Sequence, residues 1–222
     1  MLNPQLLQLL WNALQETLYM VAGAAFFGNL LGFPLGILVV VTGPDHILPN
    51  RFIHRLLGVV INIGRSIPFI ILMVAIIPFT RWLVGTSIGT TAAIVPLSVA
   101  AIPYIARLVE QSLNEVDPGV IEAAQSMGAT PWQIIWKVLL PESLPSLTLG
   151  VTITTISLVS YSAMAGAIGA GGLGDLAIRY GYQRFRGDVM LWTVAVLVIL
   201  VQLIQMAGNY IARRVDHRHP VD

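Results

Sequence analysis

The sequence predicts an all-α polytopic membrane protein with five transmembrane helices, its N-terminus outside, and a helical cytoplasmic loop between the third and fourth spans. Three observations carry that prediction. The 222 residues are 56% hydrophobic and only 10% charged, with a mean hydropathy of +0.79, far from a soluble globular average. Charge-free runs cover residues 17–44, 82–106, 143–174 and 189–212, each long enough for the roughly 20 residues that cross a hydrocarbon core. Between the third and fourth spans lies a polar stretch with its own helix punctuation, VDPGVIEAAQSMGATPWQIIWKVLLP.

The first span is expected at about 17–42. The preceding MLNPQLLQLLWNALQE has no Lys or Arg and so lacks the basic region of a cleaved signal peptide, which predicts that this span is retained. Gly28, Gly32 and Gly36 repeat on one of its faces and permit close helix approach. Packing within the subunit is the default reading, and contact with a second copy is the alternative. The second span, at about 54–79, is rich in Ile, Val, Leu and Phe but interrupted by Arg65. The remaining spans are expected at about 84–107, 145–169 and 189–212, so that residues 1–222 form a single transmembrane domain. Orientation follows the positive charges: Arg51, Arg55, Arg107, Lys137, Arg213, Arg214 and Arg218 fall in the cytoplasm, against Arg81, Arg179, Arg184 and Arg186 outside.

The segment 117–141 is too long for a simple return and asks for a partner. Asp117 followed by Pro118 reads as an N-cap with proline at the first helical position. Glu122, Ala123, Ala124 and Gln125 continue that helix, and Gly128 can end it in the left-handed conformation. Thr130 with Pro131 starts a second helix by the same device, and Pro141 and Pro145 mark re-entry into the next span.

Other chemistries find little support. There is no cysteine, and His46, His54, His217 and His219 do not form a metal site. A net charge of +1 argues against a nucleic-acid role. Gly169, Gly171 and Gly174 spell a dinucleotide fingerprint, yet they follow a membrane span instead of a strand, and read as a flexible external turn. Lys137, the only lysine, has no glycine cradle, so the chain lacks a phosphate-binding loop. No nucleophile with a paired base is present. The chain does not read as an enzyme.

Glu122, Ala123 and Ala124, then three residues, Gly128, nine residues, Val138, one residue, and Leu140 with Pro141 resembles the cytoplasmic EAA signature of ABC importer permeases; Val138 stands where the usual pattern has Ile. The resemblance implies a type I ABC importer permease fold in which Glu122, Ala123, Ala124, Met127 and Gly128 form the ATPase-coupling segment, seated in a cleft of a separate ATP-binding subunit. GRSIPFIILMVAIIPFTR (64–81), IPYIARLVEQSLNEVDPGVIEAAQSMGA (102–129) and YSAMAGAIGAGGLGDLAIRYGYQRF (161–185) narrow it: nearly the whole chain is similar to the permease subunits of bacterial methionine ABC importers. That family implies a homodimer in the bacterial inner membrane, in contact with lipid, with two cytoplasmic ATPase subunits holding ATP and magnesium and an external methionine-binding lipoprotein. This chain itself is expected to hold no cofactor.

For the translocation pathway the candidates are Arg65, Ser160, Tyr161 and Met164. Arg65 is an ionisable residue within a span; the alternative is that it snorkels or bonds carbonyls near Pro68. Ser160, Tyr161 and Met164 combine small polar groups, a ring and a thioether suited to an apolar or sulfur-bearing solute, with plain packing as the alternative for Met164. Runner-up functions are an ABC permease for another amino acid or a quaternary amine, then a channel or secondary transporter, for which the charge-free spans supply no ion-coupling carboxylates, and a membrane scaffold.

Overall fold

The computed structural model describes residues 4–216, so the expectations for His217, Arg218 and His219 lie outside the described residues. Every regular element among the described residues is helical. The chain runs through α1 (Pro4–Val41), α2 (Arg51–Ser66), α3 (Phe69–Ala75), α4 (Ile77–Val84), α5 (Thr90–Leu113), α6 (Pro118–Ser126), α7 (Pro131–Ile134), α8 (Leu140–Ala165), α9 (Gly172–Asp175) and α10 (Gly187–Val215). Four helices are long and apolar enough to cross a membrane, or five spans if the bent pair α2 and α3 counts as one.

α1 begins well before the expected span. Its 38 residues rise about 57 Å at 1.5 Å each, against a hydrocarbon core of about 30 Å, so one end projects beyond the bilayer. The small-residue repeat is used inside the subunit. A Cβ at Gly28 would lie 2.8 Å from Ala101 Cβ, one at Gly32 2.7 Å from the Ile102 carbonyl, and one at Gly36 2.6 Å from the Ala106 carbonyl. The contacts advance together along both helices, so α1 and α5 run parallel with their backbones nearly touching.

The second span departs from expectation. α2 and α3 meet at an angle of 99°, and α4 follows as a separate short helix ended by Gly85 at φ +83°. Pro68 is the cause: it lacks an N–H and pushes the preceding Ile67 to an extended backbone, φ −83° and ψ 121°. The apolar run 54–79 is thus a broken element, with Arg65 in the last turn before the break.

The fourth span also differs. Thr130 starts the second helix as expected, but that helix runs on into the span without a break, continuously helical from Pro131 through Ala165 and past both Pro141 and Pro145, with non-helical backbone only at Ile168 and Gly169. A proline ring crowds the carbonyl four residues earlier. For Pro141 that is Lys137, inside the π-wound turn Ile135–Leu139, where the wider winding makes room. α8 runs antiparallel to α5, with Ser112 Oγ donating to Ser146 Oγ at 3.0 Å. The core joins α1, α5 and α8 through fully buried Met20, Leu97, Leu113, Leu139 and Leu158. Its outer helix α10 is mostly uncovered, exposing Leu191, Val198, Ile199 and Leu203, as a lipid-facing helix does.

Candidate functional site

The bundle has two ends built from non-spanning chain. α5 leads into the segment 117–141 at one end, the elbow end. The residues that open α5 and those that follow α8 share the other, the far end.

At the elbow, Asp117 Oδ1 accepts the Gly119 N–H at 2.7 Å, satisfying an orphan amide of α6. The helix closes with the Gly128 N–H on the Gln125 carbonyl at 2.9 Å and the Ala129 N–H on the Ala124 carbonyl at 3.1 Å, and Gly128 holds φ +80°. A capping box follows: Thr130 Oγ1 accepts the Gln133 N–H at 3.4 Å while Gln133 Oε1 accepts the Thr130 N–H at 2.9 Å. Each helix start is therefore held by local bonds.

One side of this elbow is glued to the core. Val116, Ala124, Ile134, Ile135 and Leu139 are buried with Leu113. The other side is bare: Glu122, Ala123 and Gly128 are exposed, as are Val120, Trp132 and Trp136, and Met127 is 82% exposed. The two alanines consequently differ. Ala124 is packed inside its own chain and supports α6, and only Ala123 offers the close approach expected of both. Glu122 makes no ion pair among the described residues.

At the far end the structure corrects the reading of the glycine-rich segment as a flexible turn. The Gly172 N–H donates to Glu16 Oε2 at 2.6 Å and the Leu173 N–H to Thr17 Oγ1 at 2.9 Å. Leu173 is fully buried beside Leu6, Leu10 and Leu176. A Cβ at Gly166 would lie 2.5 Å from the Asp175 N. This segment is a packed plug fastened to α1.

The pathway candidates are placed separately. Ser160 and Met164 share an exposed stripe of α8 with Ile153. Tyr161 is half-buried, its ring stacked on Phe69 at 4.7 Å and 9°. That contact ties α8 to the first residue after the break at Pro68. Arg65, four residues before Phe69, is exposed and makes no ion pair among the described residues.

Residues 28–219 match the family described as the inner membrane component of binding-protein-dependent transport systems. The chain belongs to this family. As an inner membrane component it is a multi-pass membrane protein without a catalytic centre of its own. A probable D-methionine transport system permease of Vibrio cholerae is 59% identical over 210 residues, 95% of this chain and 93% of that one. A methionine import system permease of Bacillus subtilis is 46% identical, with 94% of each chain covered. A chain from inward-facing structures of the MetNI methionine ABC transporter superposes with a TM-score of 0.95 at 52% identity, covering 97% of this chain and 100% of that chain.

Three features of this family member escaped the sequence reading. Trp132 and Trp136, 5.5 Å apart, complete the bare side of the elbow, and their spacing of four was the signal available. Glu16 lies 156 residues from its partner Gly172, beyond any local pattern. Thr80 is buried among apolar neighbours, and nothing in its surrounding sequence marks it.

Proposed function

We propose that the chain is the membrane-spanning subunit of an ATP-driven methionine importer, acting as a pair with two cytoplasmic ATPase subunits and an external methionine-binding lipoprotein. The observation that carries this is the two-sided elbow. It is a capped helix rigidly joined to the core on one side and bare on the other, with Glu122, Ala123, Met127 and Gly128 on the bare side and Ala124 beneath them. The full-length similarity to methionine permeases supports the substrate. ATP and magnesium belong to the partner ATPase.

The elbow faces the cytoplasm and the far end faces outward, following the positive-inside bias. Since α7 and α8 form one rod, a push on the elbow is delivered along the fourth span toward Ser160, Tyr161 and Met164, which line the passage with Arg65. ATP binding draws the two elbows together and opens the passage outward; hydrolysis returns it. Methionine shifts this equilibrium only by its different affinity for the two states.

The test is uptake of labelled methionine by the reconstituted complex with Glu122→Lys and with Gly128→Pro, alongside copurification of the ATPase. Loss of uptake in both is expected, and unchanged ATPase-coupled uptake in both removes the coupling role from this segment. Competition by unlabelled methionine against other amino acids and quaternary amines decides the substrate.

A further inference from the structure

A groove of about 520 Å³ runs along one flank of the bundle between α1, α4 and α5. Its wall extends about 18 Å along α1 from Tyr19 to Leu31 and about 17 Å along α5 from Thr91 to Ile102, at 1.5 Å per residue. The two stretches stop about 15 Å short of Val41 and about 17 Å short of Leu113, the elbow-end termini of those helices. The groove therefore lies in the far half of the membrane. Its length matches one leaflet, half of a hydrocarbon core of about 30 Å.

The wall changes character with depth. Tyr19 and Thr91, its residues nearest the far end on α1 and α5, carry hydroxyls. The one other polar lining group, Ser98, donates its Oγ to the Ile94 carbonyl at 2.7 Å and so asks for nothing from an occupant. The rest of the lining is apolar, with Phe79 and Leu83 contributed by α4. Trp82, stacked on Phe79 at 6.1 Å, is 78% exposed, as a tryptophan at headgroup level is. An α-helix laid along the groove, about 10 Å across, fills roughly 1,300 Å³, so a span of another subunit cannot sink into it. A single hydrocarbon chain can, with its polar end toward Tyr19 and Thr91.

We propose that this groove holds one acyl chain of a phospholipid from the far-end leaflet, retained as a ligand while the lipid around α10 exchanges freely. The chain fills the space between α1 and α4 and so supports the part of the broken second span that follows Pro68. The inference goes beyond the importer reading and holds whatever solute is carried.

The test places the photo-crosslinker benzoylphenylalanine at Leu31, in the groove, and separately at Val198 on α10, which are 52% and 55% exposed. The permease is irradiated in its membrane and again after purification with an extended detergent wash, and its mass is read. Both positions are expected to gain the mass of one phospholipid in the membrane, and only the Leu31 adduct is expected to survive the wash. Thr91→Trp, which blocks the mouth at an exposed position, and Val99→Trp, which fills the groove from α5, are expected to lower the surviving adduct about ten-fold in protein that stays monodisperse. Loss of the Leu31 adduct at the same rate as the Val198 adduct overturns the site. So does an adduct undiminished in either monodisperse variant. A Leu31 cross-link to a second permease copy also overturns it, and makes the groove a contact between subunits.

Discussion

The elbow and the far-end plug are both interruptions between membrane spans, and both contain glycines with positive φ, but their side chains have opposite fates. At the plug, glycines are pressed against backbone: Gly174 would drive a Cβ into the Ala163 carbonyl, and Gly172 at φ +78° would meet Thr17 Oγ1 at 2.7 Å. At the elbow, nothing lies within 4 Å of a Cβ at Gly128, and Met127 and Trp132 stand out bare. Chain that is satisfied by its own subunit holds the bundle together. Chain that is capped and rigid yet left uncovered is held ready for another protein, since large apolar groups outside a membrane mark an interaction surface.

The sharpest way to break this comparison is to enlarge one glycine at each end. Gly174→Val is expected to abolish folded, monodisperse protein in detergent by fluorescence-detected size exclusion, because the Ala163 backbone against it cannot yield and overpacking costs about 1–3 kcal/mol or more. Gly128→Ala is expected to leave the protein folded with a loss of about 1 kcal/mol, the cost of a side chain in the left-handed region. If the two variants behave alike, the distinction between the ends is wrong.

Next in size is a charge reversal that should affect function alone. Glu122→Lys is expected to keep the melting temperature of the isolated permease and to weaken copurification of the ATPase about ten-fold, equivalent to about 1.4 kcal/mol. A large drop in melting temperature would instead place Glu122 in the structural class. The converse is Glu16→Gln, which weakens a charged hydrogen bond to a neutral one and should cost about 1 kcal/mol. Its expected signature is a melting temperature lower by a few degrees with ATPase binding unchanged.

The smallest effect concerns pH. His46, in the turn after α1, has its pKa lowered from 6.5 by burial, and its Nδ1 is buried without a partner. The fold therefore favours the neutral ring. Its contribution is present above pH 6.5 and is lost as the pH falls through the lowered folded value, because the unfolded chain takes up the proton first. A slight steepening of the acid limb of thermal stability is expected, and His46→Gln should remove it.

Much of this was legible beforehand because it rests on local chemistry. The N-cap at Asp117, the left-handed turn at Gly128 and the capping potential of Thr130 are each written in a few adjacent residues, and the charge-free runs mark the spans by composition alone. The departures arise where distant chain decides. Pro68 was visible, yet whether a proline kinks a helix or ends it depends on what packs beyond it; at Pro141 the same residue is absorbed by a π turn. The glycine plug resembled a flexible turn because flexibility and tight packing call for the same residue, and only the presence of Glu16 and Thr17 on α1 separates them.

Sequence by itself determined that this is a helical membrane protein with a capped polar elbow, since hydropathy and capping act over one helix or one turn. The tertiary structure alone decided which alanine of the elbow faces out, that the glycine segment is a fastened plug, and that Thr80 and Ser87 line one cavity. Those facts depend on the direction in which a side chain points once separate helices have packed, and no single helix contains that information.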